Sequence, residues 1–173
     1  MDAHAFLDAS LPESSAVVIF SIGCEYAIRA MTYLAEHYSP GEFCLLRTVT
    51  GDHHLPQHFV GKIFQSLVRS GLLLSAKGRG GGFALQRPPS EIHLYEIVEA
   101  VDGSERLRRC VLGMERCEDH MGCPLHDQWK AIREQIEHML RTTTLENMAR
   151  NTDIRRVRAA EPVTAHVGMR MHG

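Results

Sequence analysis

The sequence predicts a mostly α chain: a winged helix-turn-helix with a small β-hairpin wing and a long C-terminal helix suited to dimerisation. Three observations predict it. Apolar residues recur at three- and four-residue steps in several separate stretches, a glycine-rich turn divides two short apolar runs, and a regular apolar seam follows near the end. The 173 residues and 44% hydrophobic content suffice for one folded unit with a real core.

The first helix is marked by Ile22, Tyr26, Ala30, Tyr33 and Leu34, with Ser21 as N-cap and Ser39-Pro40-Gly41 as its stop. Before it, residues 1–17 lack periodicity and contain Leu11-Pro12-Glu13-Ser14-Ser15, so they are expected to form a flexible extension. A short segment, Leu45 to His53, leads to Leu55-Pro56 and a longer helix through Phe59, Ile63, Leu67 and Val68. Pro56 suits the first turn of that helix and Gly71 its end. Two helices around a tight turn, the second carrying Gln57, His58, Lys62 and Gln65, have the outline of a helix-turn-helix.

Leu72-Leu73-Leu74 and Phe83-Ala84-Leu85 flank Lys77-Gly78-Arg79-Gly80-Gly81-Gly82, which reads as a hairpin wing. The glycine run lacks the Gly-Lys-Ser/Thr ending of a nucleotide-binding P-loop. Leu94, Ile97, Val98 and Val101 make a further helix closed by Asp102-Gly103, completing a unit over residues 18–103. Residues 104–124 show little periodicity. Over 125–150, Leu125, Trp129, Ile132, Ile136 and Met139 step by four, three, four and three, the seam of a helix that pairs with another, and Thr144 caps a short end helix through Met148. From Asn151 to Gly173 the chain is arginine-rich and apolar-poor, and is expected to be disordered.

Net charge is −2, but its distribution is uneven. Residues 46–90 carry Arg47, Lys62, Arg69, Lys77, Arg79 and Arg87 against the single acid Asp52, whereas residues 1–45 hold six acids and one base and residues 91–146 twelve acids and seven bases. One basic segment in an acidic chain is the footprint of a surface that faces phosphate. No apolar run near the start approaches the roughly 20 residues that span a bilayer. Asp2, Asp8 and Glu13 stand where a secretory signal would carry positive charge and apolar length, so a cytoplasmic protein with no membrane partner is expected.

Of five cysteines, Cys24 and Cys44 sit in apolar, helix-like surroundings and read as small buried hydrophobes. Cys110, Cys117 and Cys123 are clustered, with six and five residues between them, and Pro124-Leu125 separates Cys123 from His126. In a reducing compartment such a group points to metal rather than disulfides. Three thiolates and a weaker fourth ligand suit an iron–sulfur cluster with one labile iron. Zinc would accept the same donors, but its usual Cys-x-x-Cys knuckle is missing. A thiol oxidoreductase using Cys123 with His126 as base has neither an adjacent cysteine pair nor an orienting third residue, so no enzyme is expected.

In order, Glu25-Tyr26-Ala27-Ile28-Arg29-Ala30, the run from Leu55 to Leu72, Gly78 to Phe83, Ile97-Val98-Glu99-Ala100-Val101-Asp102-Gly103 and Cys123-Pro124-Leu125-His126-Asp127-Gln128-Trp129 resemble the bacterial family of winged-helix regulators that includes the iron–sulfur cluster regulator and the nitric-oxide-sensitive repressor. The resemblance runs from about Val18 to Met148. It implies a homodimer on a double-stranded DNA operator, with residues 56–70 in the major groove and the wing, 77–82, near the minor groove. Arg47, Pro56, Gln57, His58, Lys62, Gln65, Lys77, Arg79 and Gly80 are the expected DNA-facing residues. Gln57, His58 and Gln65 have the chemistry to read base edges, while Lys62, Arg69, Lys77 and Arg79 can meet phosphates. The resemblance also implies a cluster on Cys110, Cys117 and Cys123, of 2Fe–2S in preference to 4Fe–4S type. His126 matches one relative's fourth ligand and is preferred to Glu25, which matches a carboxylate that other members donate across the dimer. The first cysteine gap departs from the pattern, six residues where the iron–sulfur cluster regulator has five. The same fold without a cluster, sensing through zinc or a thiol, is the alternative.

Overall fold

A computed structural model describes residues 19–52, 54–112 and 123–151. The expected extension, the expected tail beyond Asn151 and the middle cysteine, Cys117, lie outside the described residues.

Helix α1 (Ile22–Glu36) begins where expected, because Ser21 Oγ accepts the Cys24 N–H at 3.0 Å. Helix α2 (Leu46–Asp52) and helix α3 (Gln57–Arg69) follow, separated by a tight turn in which the Leu55 N–H donates to Thr50 O at 2.9 Å. Pro56 stands one position earlier than expected. It is the N-cap of α3, in extended conformation, and its carbonyl accepts the Phe59 and Val60 N–H groups. Gly71, at φ +70°, ends α3 in a Schellman arrangement: its N–H meets Val68 O and the Leu72 N–H meets Leu67 O at 2.9 Å.

Strands β1 (Leu73–Ala76) and β2 (Gly82–Leu85) pair antiparallel with Leu73 opposite Leu85 and Ala76 opposite Gly82, so residues 77–81 form the wing tip. Cys44 is not helical, as its surroundings suggested. It makes an isolated antiparallel bridge with Phe83, both N–H···O distances being 2.8 Å, which pins the hairpin to the chain entering α2. Gly82 is required there, since a Cβ would come within 2.3 Å of Cys44 O. The expectation of a buried, hydrophobe-like cysteine holds for Cys24.

Beyond β2, Arg87 donates to Glu91 O and to Glu96 Oε2 at 2.7 Å, tying the wing exit to helix α4 (Leu94–Asp102). Burial pushes the Glu96 carboxyl upward, but the His93 N–H and the Arg87 guanidinium outweigh it, leaving the pKa lowered. After a 3-10 turn at Ser104–Arg108, helix α5 (His126–Thr142) runs to a corner where the Leu94 N–H meets Thr143 O and the Leu145 N–H meets Ile92 O. Helix α6 (Leu145–Asn151) is capped by Thr144, whose Oγ1 accepts the Asn147 N–H at 3.2 Å. It reaches three residues past Met148 and packs on α1.

The core lies among α1, α3, α4 and the hairpin, filled by Met31, Phe64, Leu67, Leu73, Ile92 and Ile97 and closed by Leu140 and Leu145. Not all of the periodic residues point there. Ile22 is exposed at the start of α1, whose buried face is instead Cys24, Ala27, Ala30, Met31 and Leu34. No helix among the described residues is long and apolar enough to cross a membrane.

Candidate functional site

Two surfaces follow from this arrangement. On α3, Val60, Ile63, Phe64 and Leu67 face the core, which leaves Gln57, His58, Lys62 and Gln65 exposed along the opposite stripe. Those four residues, with Leu46 and Gly61, line a shallow groove beside α2. Gln65 also borders a second groove, between α3 and the hairpin, together with Arg69, Ser75 and Lys77. The helix face and the wing are therefore one continuous surface. Arg47 on α2, Lys77, Arg79 and Gly80 are exposed on the same basic part of the chain. Arg69, which the sequence reading grouped with the residues able to meet phosphates, lines this second groove.

The second surface is the start of α5. Cys110 is 8% exposed, Cys123 is half-buried and neither is in a disulfide. His126, first residue of α5, is 7% exposed, and its backbone N–H donates to Cys123 O at 3.1 Å. Two side chains from the next turns reach back to the segment before the cysteines: Trp129 Nε1 donates to Arg109 O and Arg133 Nη1 to Arg108 O, each at 2.9 Å. The backbone just before Cys110 is thereby tied to the first two turns of α5, the helix that Cys123 and His126 lead into. Glu25 is exposed on the first turn of α1. Among the described residues no group of three or more His, Cys, Asp or Glu side chains is gathered tightly enough to hold a metal ion. Of the expected ligands, Cys123 and His126 stand together at the start of α5, whereas Cys110 is not gathered with them into one metal-holding group.

Sequence reasoning missed the two residues that build this end. Trp129 was visible only as an apolar member of the seam, although an indole N–H usually seeks an acceptor when partly buried. Arg133 carried no signal at all. A third tie also escaped: Asp102 Oδ2 accepts the Ser21 N–H at 2.7 Å, and Oδ1 accepts from Ser21 Oγ, joining the end of α4 to the start of α1.

Comparison with known proteins assigns the chain to a family. The model of the Rrf2 family, described as iron-dependent transcriptional regulators, matches residues 20–151. The chain belongs to the Rrf2 family. The HTH-type transcriptional regulator IscR of Serratia proteamaculans is 31% identical over 129 residues, covering 75% of this chain and 77% of the relative. An HTH-type transcriptional regulator of Aquifex aeolicus is 27% identical over 133 residues, covering 76% and 91%. Among solved structures, CymR, the global cysteine regulator of B. subtilis, has a TM-score of 0.65 at 24% identity, with 78% of this chain and 98% of that one covered. T. potens IscR has a TM-score of 0.60 at 22% identity, covering 82% and 92%. These likenesses establish the winged-helix fold of the Rrf2 regulators, and family membership makes the chain a transcriptional regulator. The donor chemistry is compatible with iron, which accepts thiolates and imidazoles: Cys110 and Cys123 are outside disulfides and His126 is buried.

Proposed function

We propose that the chain acts as a homodimer on a double-stranded DNA operator and that an iron–sulfur cluster, 2Fe–2S in preference to 4Fe–4S, sets its affinity. Gln57, His58 and Gln65 read base edges in the major groove from the exposed stripe of α3, with Pro56 fixing the entry of that helix. Arg47, Lys62, Lys77 and Arg79 meet phosphates, and Gly80 lets the wing tip approach the backbone closely. Cys110, Cys117 and Cys123 would hold iron as thiolates, and His126, in preference to Glu25 of the partner subunit, would complete the set. When bound, such a cluster supplies an iron with an exchangeable non-cysteine ligand and a charge that varies with redox state.

The observation that supports this reading is the pair of bonds from Trp129 and Arg133 to Arg109 O and Arg108 O, which tie the backbone just before the first cysteine to the helix that follows the last. The same segment leaves α4 at Gly103, and Ala100 O in the last turn of α4 accepts the Ser66 hydroxyl of α3 at 3.2 Å. Ordering the cysteine segment therefore bears on the pose of α3. A dimer reads half-sites about 34–36 Å apart, so a small change of pose alters several contacts at once.

The test is operator binding by cluster-loaded and cluster-free protein, purified without air and compared at matched salt. A difference of roughly tenfold or more is expected, within the usual range of allosteric coupling. Equal affinities would remove the switch. Colourless protein without iron or sulfide would remove the cluster and leave a DNA binder that senses through zinc or a thiol.

A further inference from the structure

The groove between α3 and the hairpin is lined by two cations from different elements, Arg69 at the end of α3 and Lys77 just past β1, and by the hydroxyl-bearing Ser75 of β1. All three residues are exposed. Among the described residues neither cation has a carboxylate partner, whereas Arg87, Arg108, Arg141 and Arg150 each pair with a glutamate. No Asp or Glu stands between His54 and Ser90 in the sequence. Two unpaired cations in one groove, with no acid nearby on the chain, attract an anion from outside.

The setting of the groove indicates which anion. Val68 and Phe83 also line it, and Phe83 is fixed edge-on to the Phe64 ring at 4.9 Å and bridged by its backbone to Cys44. Apolar lining limits the screening of charge by water, and a fixed lining holds the two walls in register. Gln65 borders both this groove and the one that holds Gln57, His58 and Lys62. Arg69 lies one turn beyond Gln65 on the same side of α3, about 6 Å further from the helix N-terminus that enters the major groove. A strand flanking the major groove passes between the helix inside it and the wing outside it, and there it meets these three residues.

Resting on the DNA-binding reading, we propose that this groove seats one backbone phosphate of the duplex, held jointly by the Arg69 guanidinium and the Lys77 ammonium with the Ser75 hydroxyl as a third donor. Neither cation suffices alone, because a single exposed ion contact is worth little once the ordering of a long side chain is counted. The seat reads no base. It joins the wing to α3 through the strand that runs between them.

Because the seat is blind to sequence, a mixed-sequence duplex serves as the probe, titrated by fluorescence anisotropy over a salt series with the full-length dimer. Arg69→Ala and Lys77→Ala should each make the slope of log K against log salt shallower by about 1.8, one phosphate per protomer at about 0.9 each. The double variant should also lose about 1.8, not the roughly 3.6 expected of two separate phosphates. Arg69→Lys should keep the slope. Ser75→Ala removes no charge, so it should keep the slope and weaken binding about tenfold or more, two hydrogen bonds to a charged group being lost per dimer. Far-UV circular dichroism should be unchanged throughout, since all three side chains lie outside the core. A double variant that loses about 3.6 would overturn the shared seat by giving each cation its own phosphate. Slopes unchanged in both single variants would take the groove off the duplex, and unaltered affinity in Ser75→Ala would strike the hydroxyl from it. Wild type that binds no duplex at any salt would sink the DNA-binding reading itself, and the seat with it.

Discussion

Asp102 does more for the fold than its place at a helix end suggests. Its carboxylate accepts both the backbone N–H and the hydroxyl of Ser21, while Ser21 Oγ accepts the Cys24 N–H, so one side chain at the close of α4 fixes the first turn of α1. Hydrogen bonds to a charged group contribute about 1.5–3 kcal/mol, and an N-cap serine about 1 kcal/mol. Asp102→Ala is therefore expected to lower stability by about 2 kcal/mol and Ser21→Ala by about 1–2 kcal/mol. Because the two share one interaction, the double variant should lose clearly less than the sum, a coupling measurable by urea denaturation of the four proteins in a double-mutant cycle. Additive losses would mean the two ends are held by something else. None of this could be seen in the sequence, where residues 81 positions apart give no sign of meeting; the serine was legible as a cap, its partner was not.

At the scale of elements, α5 is the odd member. Of its seventeen residues only His126 and Leu140 are buried, and Ile132 and Met139 are 46% and 50% exposed, with Leu125 before it at 40%. In the proposed homodimer a second copy of the helix would cover this open apolar stripe, with the burial of each large side chain worth about 1.5–3 kcal/mol. Ile132→Glu and Met139→Glu should each shift the dimer to monomer in analytical ultracentrifugation while leaving far-UV circular dichroism nearly unchanged, since neither side chain belongs to the core. A variant that stays dimeric would move the interface elsewhere. The period of this seam was readable from the sequence because exposed and buried apolar faces obey the same 3.6-residue repeat. For the same reason the sequence did not tell that Ile22 faces out or that Leu140, outside the seam, faces in. Periodicity marks a face, and packing decides what covers it. The caps and stops at Ser21, Gly71, Gly103 and Thr144 were legible because they rest on local backbone chemistry, whereas the Cys44–Phe83 bridge and the Trp129 and Arg133 bonds depend on chain crossings that no local pattern encodes.

For the whole molecule the decisive quantity is where charge sits rather than how much there is. The sequence is net negative, yet the exposed groups along α3 and the wing include Lys62, Arg69, Lys77 and Arg79, and the acids are concentrated before residue 45 and after residue 91. Such a layout orients the basic face toward a polyanion and turns the remainder away from it. If Lys62 and Lys77 meet phosphates, each substitution to alanine deletes two contacts, one per protomer. The slope of log K against log salt should then become shallower by about 1.8 for either variant, at about 0.9 per phosphate on duplex DNA. The loss should be the same on operator and on scrambled duplex. Gln57→Ala or Gln65→Ala should behave in the opposite way, keeping the salt slope and narrowing the preference for operator by about 1–3 kcal/mol per base pair read. Fluorescence anisotropy titrations across a salt series, with both duplexes, separate the two classes. A lysine variant that weakens operator alone, or a glutamine variant that flattens the salt slope, would exchange the roles of those side chains and would place the α3 stripe differently in the groove.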